Sequence, residues 1–393
     1  MKTRSTPGIV AAIAAALSLA CTTALAVCPA VEIASGLQFP GSVAISNQGN
    51  LIVSESGLHG QNLGRISIVD PSGARRTLIS GMPSGIADVG DPAGPAGLFL
   101  RGRTLFVVIS VGDVGISGGM PGTALANPNP VSSPLFSSVL AVHFSAAVEK
   151  NTEGFALTMA DQQAIAAGNK VTLTNSAGEK LTIEMIADFP NYTPNPIPAL
   201  PAGIRVSNPF DIVVVGNYAY VTDGGQNNVR KVDIETGAHW VLASFPNVPN
   251  PMFGVLGGPF SEAVPTGIRE VDGLLLVALF RGFPFAPGTS DIVAVDPGTG
   301  AFASFIGGLK SAIDVLSMPV GLSEHDYLVL QHASVGPFFA SPGQLLGFDE
   351  AGGSKTVIAD CLTRPTSMAL DAKSGTVYIV ELGGRVLAVP MAE

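Results

Sequence analysis

The sequence predicts an all-β fold, a six-bladed β-propeller with four-stranded blades whose ring is closed by the N-terminal strand. Three observations predict it. The composition is 47% hydrophobic and only 13% charged, with 47 Gly and 30 Pro in 393 residues; short buried strands joined by tight turns fit this profile, whereas helical or disordered chains do not. The two ends repeat one pattern, IASGLQFPGSVAISNQGNLIVSESG (33–57) and IADCLTRPTSMALDAKSGTVYIVELGG (358–384). The same unit recurs between them, and repetition on this scale marks a repeat architecture.

Each unit reads as an outer strand, a Pro or Gly turn, an inner strand, a second strand, and a third strand ending near Asp. After the first copy, which ends at GRISIVD (64–70), the second runs through LISGM, GPAGLFL, TLFVVIS and SVLAVHF (78–144). The third runs through IADF, SNPFDIVVV, YAYVTDGG and NVRKVD (186–233), and the fourth through WVLASF, AVPTGIREV, LLLVALF and DIVAVD (240–296). FASFIGGL, SAIDVLSM, YLVLQH and QLLGFD (302–349) make the fifth. The last copy, TVIADCL, PTSMALD, VYIVE and RVLAVP (356–390), leaves its final sheet one strand short. The first copy has a spare strand, VEIAS (31–35). If it joins the last sheet, four-stranded blades repeat radially with no open edge.

Residues 1–26 read as a signal peptide. Lys2 and Arg4 form a basic start, Ile9 to Ala20 an apolar run too short to span a bilayer, and Ala24-Leu25-Ala26 a cleavage site. The residues before Cys21 and Cys28 fit a lipobox poorly. Residues 27–393 are expected to form one propeller domain, exported to the periplasm or beyond, monomeric and without a membrane span. Net charge is −10, and losing the leader makes the chain more acidic; this argues against nucleic-acid partners. Cys28 and Cys361 invite a disulfide in an oxidising compartment. Alternating strand directions put them near opposite faces of the ring, so the pairing stays open.

Residues 145–185 interrupt the repeat. Thr158 to Gly168 reads as a short helix and Lys170 to Ile186 as a hairpin around residues 175–178. The Pro-rich stretches 191–203 and 245–260 read as long loops, where a rigid scaffold would carry a binding face.

Several of these segments resemble the ScyD/ScyE family, exported NHL-like propellers. They are SNPFD followed by YVTDGGQNNVRKVD, then AVPTGI, then RGFPFAPG (281–288), with IASGLQFPGSVAI and the ADQQAI helix. The likeness spans about residues 31–389. It implies the fold and the exported location and supplies no activity.

The chemistry-bearing residues form two sets. Lactonase-type propellers hold a divalent cation with carboxylates and amides at the channel mouth, and oxygen ligands suit calcium. Asn208, in Ser207-Asn208-Pro209-Phe210-Asp211, matches one ligand turn and also fits a simple turn residue. The other two turns hold Pro265-Thr266-Gly267 and Phe39-Pro40-Gly41, without the acids such a site uses. The second set is a polar rim: Glu55, Asp223 and Glu381 end second strands, Ser110 takes that place in the second blade, and Arg281 and His332 lie nearby in the fourth and fifth. Such acids either face a ligand or accept hydrogen bonds from the next turn. Asp314 lies in an inner strand and either lines the channel or pairs with a neighbour. No histidine pair has metal spacing, and no G-x-S-x-G elbow occurs. The expectation is a binding scaffold for a small molecule or a partner protein on the loop face. The ligand-contacting candidates are Glu55, Asn208, Asp211, Asp223, Arg281, Asp314, His332 and Glu381. The alternative is a divergent calcium-dependent lactonase using Asn208 with Asp211 or Asp223. A quinone-dependent sugar dehydrogenase would need a more basic, His-bearing channel.

Overall fold

The computed structural model describes residues 28–391; the leader read from the sequence lies outside them. The described residues are all-β apart from two short helices. Six principal sheets follow one another in chain order. Sheet 1 holds Pro40–Ile45, Leu51–Glu55, Gly64–Val69 and Arg75–Met82 from inside to outside. Sheet 2 holds Pro95–Arg101, Thr104–Ile109, Ser138–Phe144 and Lys180–Asp188. Sheet 3 holds Pro209–Val215, Tyr218–Asp223, Asn228–Asp233 and His239–Ser244. Sheet 4 holds Pro265–Val271, Leu274–Leu279, Ser290–Val295 and Phe302–Leu309. Sheet 5 holds Ala312–Ser317, Tyr327–Gln331, Gly343–Phe348 and Lys355–Leu362. Sheet 6 holds Pro365–Asp371, Thr376–Glu381 and Arg385–Pro390, and its outer strand is Val31–Ala34 from the other end of the chain.

Inner strands of successive sheets lie side by side, and that of sheet 6 also lies beside that of sheet 1. Apolar side chains fill the seams. Phe106, Val108 and Ala141 of sheet 2 pack on Ile212, Ala219 and Val221 of sheet 3, while Leu276 and Ile292 of sheet 4 meet Val329 and Leu346 of sheet 5. Each fully buried aliphatic side chain contributes roughly 1.5–3 kcal/mol. Every inner strand breaks register near its start, at Pro40/Val43, Pro95/Leu98, Pro209/Ile212, Pro265/Ile268, Ala312/Asp314 and Pro365/Ser367. A bulge re-aims the side chains around it, and here the same device recurs at the same place six times.

The insert after Phe144 bridges sheets 1 and 2 at their outer edges. Val171–Thr174 adds to sheet 2, and Phe155–Ala156 adds in parallel to sheet 1. The helix Met159–Ala166 starts at a Thr158/Asp161 capping box. A second helix, Ala146–Asn151, had no sequence-level expectation. Its fully buried Glu149 accepts from Asn50 Nδ2 at 2.9 Å and Arg103 Nη1 at 2.5 Å, and Ser46 Oγ also donates to it. The insert is therefore a buttress. The stretch 191–203 is not loop throughout: Tyr192–Pro194 pairs with Ile204–Val206 in a small extra sheet with Gly115–Ser117 and Ala124–Ala126.

The structure joins Cys28 to Cys361, with Cα atoms 5.6 Å apart. Opposed strand ends do not prevent this, because residues 28–30 precede the strand Val31–Ala34. Ala30 turns inward onto the apolar cluster containing Ala359 and Leu362, which carries Cys28 to the outer strand of sheet 5.

Candidate functional site

Three tiers of residues line the axis, each with one residue from every sheet. The upper tier is the residue just past the register partner of each inner-strand start: Ser56, Ser110, Gly224, Phe280, His332 and Leu382. Gly41, Ala96, Phe210, Thr266, Ile313 and Thr366 form the middle tier. One residue further on, Ser42, Gly97, Asp211, Gly267, Asp314 and Ser367 form the lower tier, where the channel narrows. The upper two tiers enclose a vestibule of about 430 Å³, open to the loop face. Phe39, Phe285 and Phe339 add to its walls, and so does Val89 at the tip of the ribbon Gly85–Ile86/Pro92–Ala93.

The lower tier is plugged by charge. Arg269, on the inner strand of sheet 4, donates to Asp211 Oδ2 at 2.5 Å on one side and to Asp314 Oδ2 at 2.7 Å on the other. Asp211 Oδ2 also accepts from Ile268 N–H at 3.1 Å, and Asp314 Oδ2 from Met368 N–H at 3.0 Å and Ser367 Oγ at 3.2 Å. One guanidinium and two carboxylates thus stitch sheets 3 to 6 together. Burial pushes the Asp314 carboxyl up to about 6; Arg269 opposes this, and the Asp211 charge adds to it. Burial disfavours the Arg269 cation, yet its two carboxylates outweigh that and hold it charged. Asp211 Oδ1 is buried without a hydrogen-bond partner. A Cβ on Gly97 would stand 2.5 Å from Asp211 Cα, and one on Gly267 2.7 Å from Asp314 Oδ1, so the plug needs glycine at both places.

The sequence-level candidates separate into four groups. Asn208 and His332 line the vestibule, and Asp211 and Asp314 form the plug. Glu55, Asp223 and Glu381 sit one residue short of the upper tier, and each is turned into its own sheet and fully buried. Glu55 takes Arg65, Ser67 Oγ and the Gln38 N–H; Asp223 takes Arg230, Ser207 Oγ and the Asn208 and Gln226 N–H groups; Glu381 takes Arg385 and the Thr363 N–H. Gln331 fills that position in sheet 5, its Oε1 accepting from Lys310 N–H at 2.9 Å. Arg281 lies one residue past Phe280 and pairs with Asp291 at 2.8 Å. The polar rim expected from sequence therefore mixes residues on opposite sides of the strand. Only Ser110 and His332 belong to the tier that faces the cavity.

Sequence reasoning missed Arg269, Lys310, Phe280 and Phe339. The Lys310 amine is buried among Phe285 and Phe339 and donates to Phe338 O at 2.9 Å and Ser311 Oγ at 3.0 Å; burial brings it down to about 8. His332 Nδ1 lies 2.9 Å from Pro365 O, and the edges of Phe280 and Phe339 flank its ring. Burial pushes its pKa down to about 4, with Arg364 and Lys310 adding to the effect.

The donor set does not fit a resident calcium ion. Of the three ligand turns only Asn208 offers a suitable oxygen; Thr266 spends its hydroxyl on the Ala278 and Ala312 carbonyls, and Phe39 fills the third. Asp211 is engaged with Arg269, and Asp223 is closed inside sheet 3. Among the described residues no group of three or more His, Cys, Asp or Glu is placed to hold a metal.

No family model matches the chain, and no curated protein matches it. Solved structures it is similar to include propeller enzymes. One is a gluconolactonase from Xanthomonas campestris, 9% identical, covering 92% of this chain and 89% of that one at a TM-score of 0.50. Another is an aldose sugar dehydrogenase from Streptomyces coelicolor in its PQQ-bound form, 14% identical over 91% of this chain and 96% of that one at 0.48. A third is a virginiamycin B lyase from Staphylococcus aureus, 12% identical over 91% and 97% at 0.43. At 9% identity the likeness to the gluconolactonase is one of fold alone, all-β and propeller-like.

Proposed function

We propose that this chain is an exported six-bladed propeller of the ScyD/ScyE kind, closed by the strand Val31–Ala34, and that it binds a small apolar molecule in the vestibule. The vestibule carries the reading: about 430 Å³, walled by Phe39, Phe280, Phe285 and Phe339, and sealed below by Asp211, Arg269 and Asp314. That volume lies within the range of small-molecule sites, and an apolar wall with a few polar groups is their usual make-up. Six sheets in series with adjacent inner strands support the ring, and the strand shared by the two chain ends supports its closure. The leader pattern and the Cys28–Cys361 bridge support export, since such bridges persist in oxidising compartments.

The test is titration with 2-methoxynaphthalene, an uncharged apolar probe without a hydrogen-bond donor. Saturable binding is expected, lost in Leu382→Trp, which fills the vestibule from its upper tier. Absence of binding, or binding unchanged in Leu382→Trp, refutes the site. The calcium-dependent lactonase alternative is tested in the same preparation. Glucono-δ-lactone turnover that needs calcium and disappears in Asn208→Ala would replace the binding reading with it.

A further inference from the structure

Resting on the vestibule reading, we infer that His332 Nε2 is the acceptor that selects the ligand, a flat apolar molecule carrying an O–H or N–H donor. Pro365 O has only lone pairs to offer, so the 2.9 Å contact requires the proton on His332 Nδ1. In the neutral ring the lone pair is then on Nε2. The residue is 7% exposed and lines the vestibule, and among the described residues no protein donor reaches Nε2. Phe280 and Phe339, with centroids at 5.7 and 5.0 Å, hold the imidazole between their rings. Burial keeps it neutral at ordinary pH, and the charges that face it, Arg364 and Lys310, act in the same direction.

The hydroxyls around it have already spent their protons. Ser110 donates to Gly94 O at 3.0 Å and Thr366 to Pro40 O at 2.9 Å. What these groups still offer a ligand is lone pairs. A ligand with acceptors alone strips water from Nε2 and returns nothing, and an unpaired buried acceptor is costly. A site built to bond a donor therefore discriminates against the analogue that lacks it.

The experiment compares 2-naphthol with 2-methoxynaphthalene at pH 7 in wild type, His332→Phe and His332→Leu. The two probes share an aromatic system and differ in the donor. Wild type is expected to prefer 2-naphthol by roughly five- to tenfold. In His332→Phe, or in His332→Leu should the larger ring not fold, the ratio of the two affinities is expected to fall to about one. Equal affinities in wild type, or a preference that survives in either variant, overturns the inference while leaving the vestibule site standing. Failure of both probes to bind wild type overturns the inference and the site together.

Discussion

Cys28 and Cys361 are 333 positions apart in the chain and are joined with Cα atoms 5.6 Å apart. The bridge lies where sheet 5 meets sheet 6, and sheet 6 takes its outer strand from the start of the chain and its other three from the end. It therefore holds the four-residue strand Val31–Ala34 against detachment, a strand whose pairing with Arg385–Pro390 is itself irregular. Cys361→Ser is expected to lower stability by roughly 2–5 kcal/mol, the usual range for a lost native bridge. Thermal unfolding of the variant, and of wild type with reductant, should show equal shifts. Limited proteolysis should cut first near residues 31–36. An unchanged melting temperature would mean that sheet 6 holds its outer strand without the bridge.

Arg269 neutralises the two carboxylates that flank it, Asp211 and Asp314, so its removal leaves buried charge without a partner. Arg269→Met is expected to cost roughly 3–5 kcal/mol at pH 7.5. The sign of its pH dependence follows from Asp314. The folded pKa of that carboxyl, about 6, lies above the ordinary 3.8, so its contribution is full below about pH 4 and is lost as pH rises through 6. Without the guanidinium the Asp314 carboxyl is pushed higher still, and its protonation relieves the repulsion from Asp211. Denaturant midpoints should therefore show a smaller deficit at pH 5 than at pH 7.5. A deficit that does not vary with pH would place the cost in packing.

The all-β character was legible because the strand pattern is local: apolar runs, Gly and Pro turns, and an Asp or Glu at strand ends. The site was legible only in part, and the reason is geometrical. Consecutive strand residues face opposite ways, so Glu55, Asp223 and Glu381, each one position short of the vestibule tier, turn into their own sheets. The bulge at the start of each inner strand turns Asp211 and Asp314 to the axis, and no residue pattern announces it. Arg269 in AVPTGIREV has the appearance of a strand-end surface charge. Its role depends on two acids that lie 58 and 45 positions away. The disulfide stayed open because three residues ahead of a strand can reverse the direction its end implies.

Lys310 is a buried amine with two hydrogen bonds and, among the described residues, no carboxylate partner. Burial lowers its pKa from 10.5 to about 8. Between these values the unfolded chain binds more protons than the folded one, so this group makes stability rise with pH over that window. Lys310→Met removes the titrating group while keeping most of the volume beside Phe285 and Phe339. The wild-type rise from about pH 8 to 10 should flatten in the variant. A persistent slope of the same size would assign it to other groups.

Gly97 sets how closely sheets 2 and 3 approach at the axis. A Cβ there would stand 2.5 Å from Asp211 Cα and 2.8 Å from Phe210 O, both backbone atoms that cannot rotate away. Gly97→Ala must push the two inner strands apart or displace Asp211 from Arg269, and overpacking of this kind costs roughly 1–3 kcal/mol. Gly383→Ala is the control, since a Cβ there meets nothing within 4 Å. The alanine at 97 should destabilise, and it should also weaken probe binding in the vestibule, whose middle tier includes Ala96 and Phe210 on those same two strands. If Gly97→Ala unfolds at the wild-type temperature and binds as well as Gly383→Ala, the inner strands tolerate a wider spacing. The plug would then not depend on close contact between sheets 2 and 3.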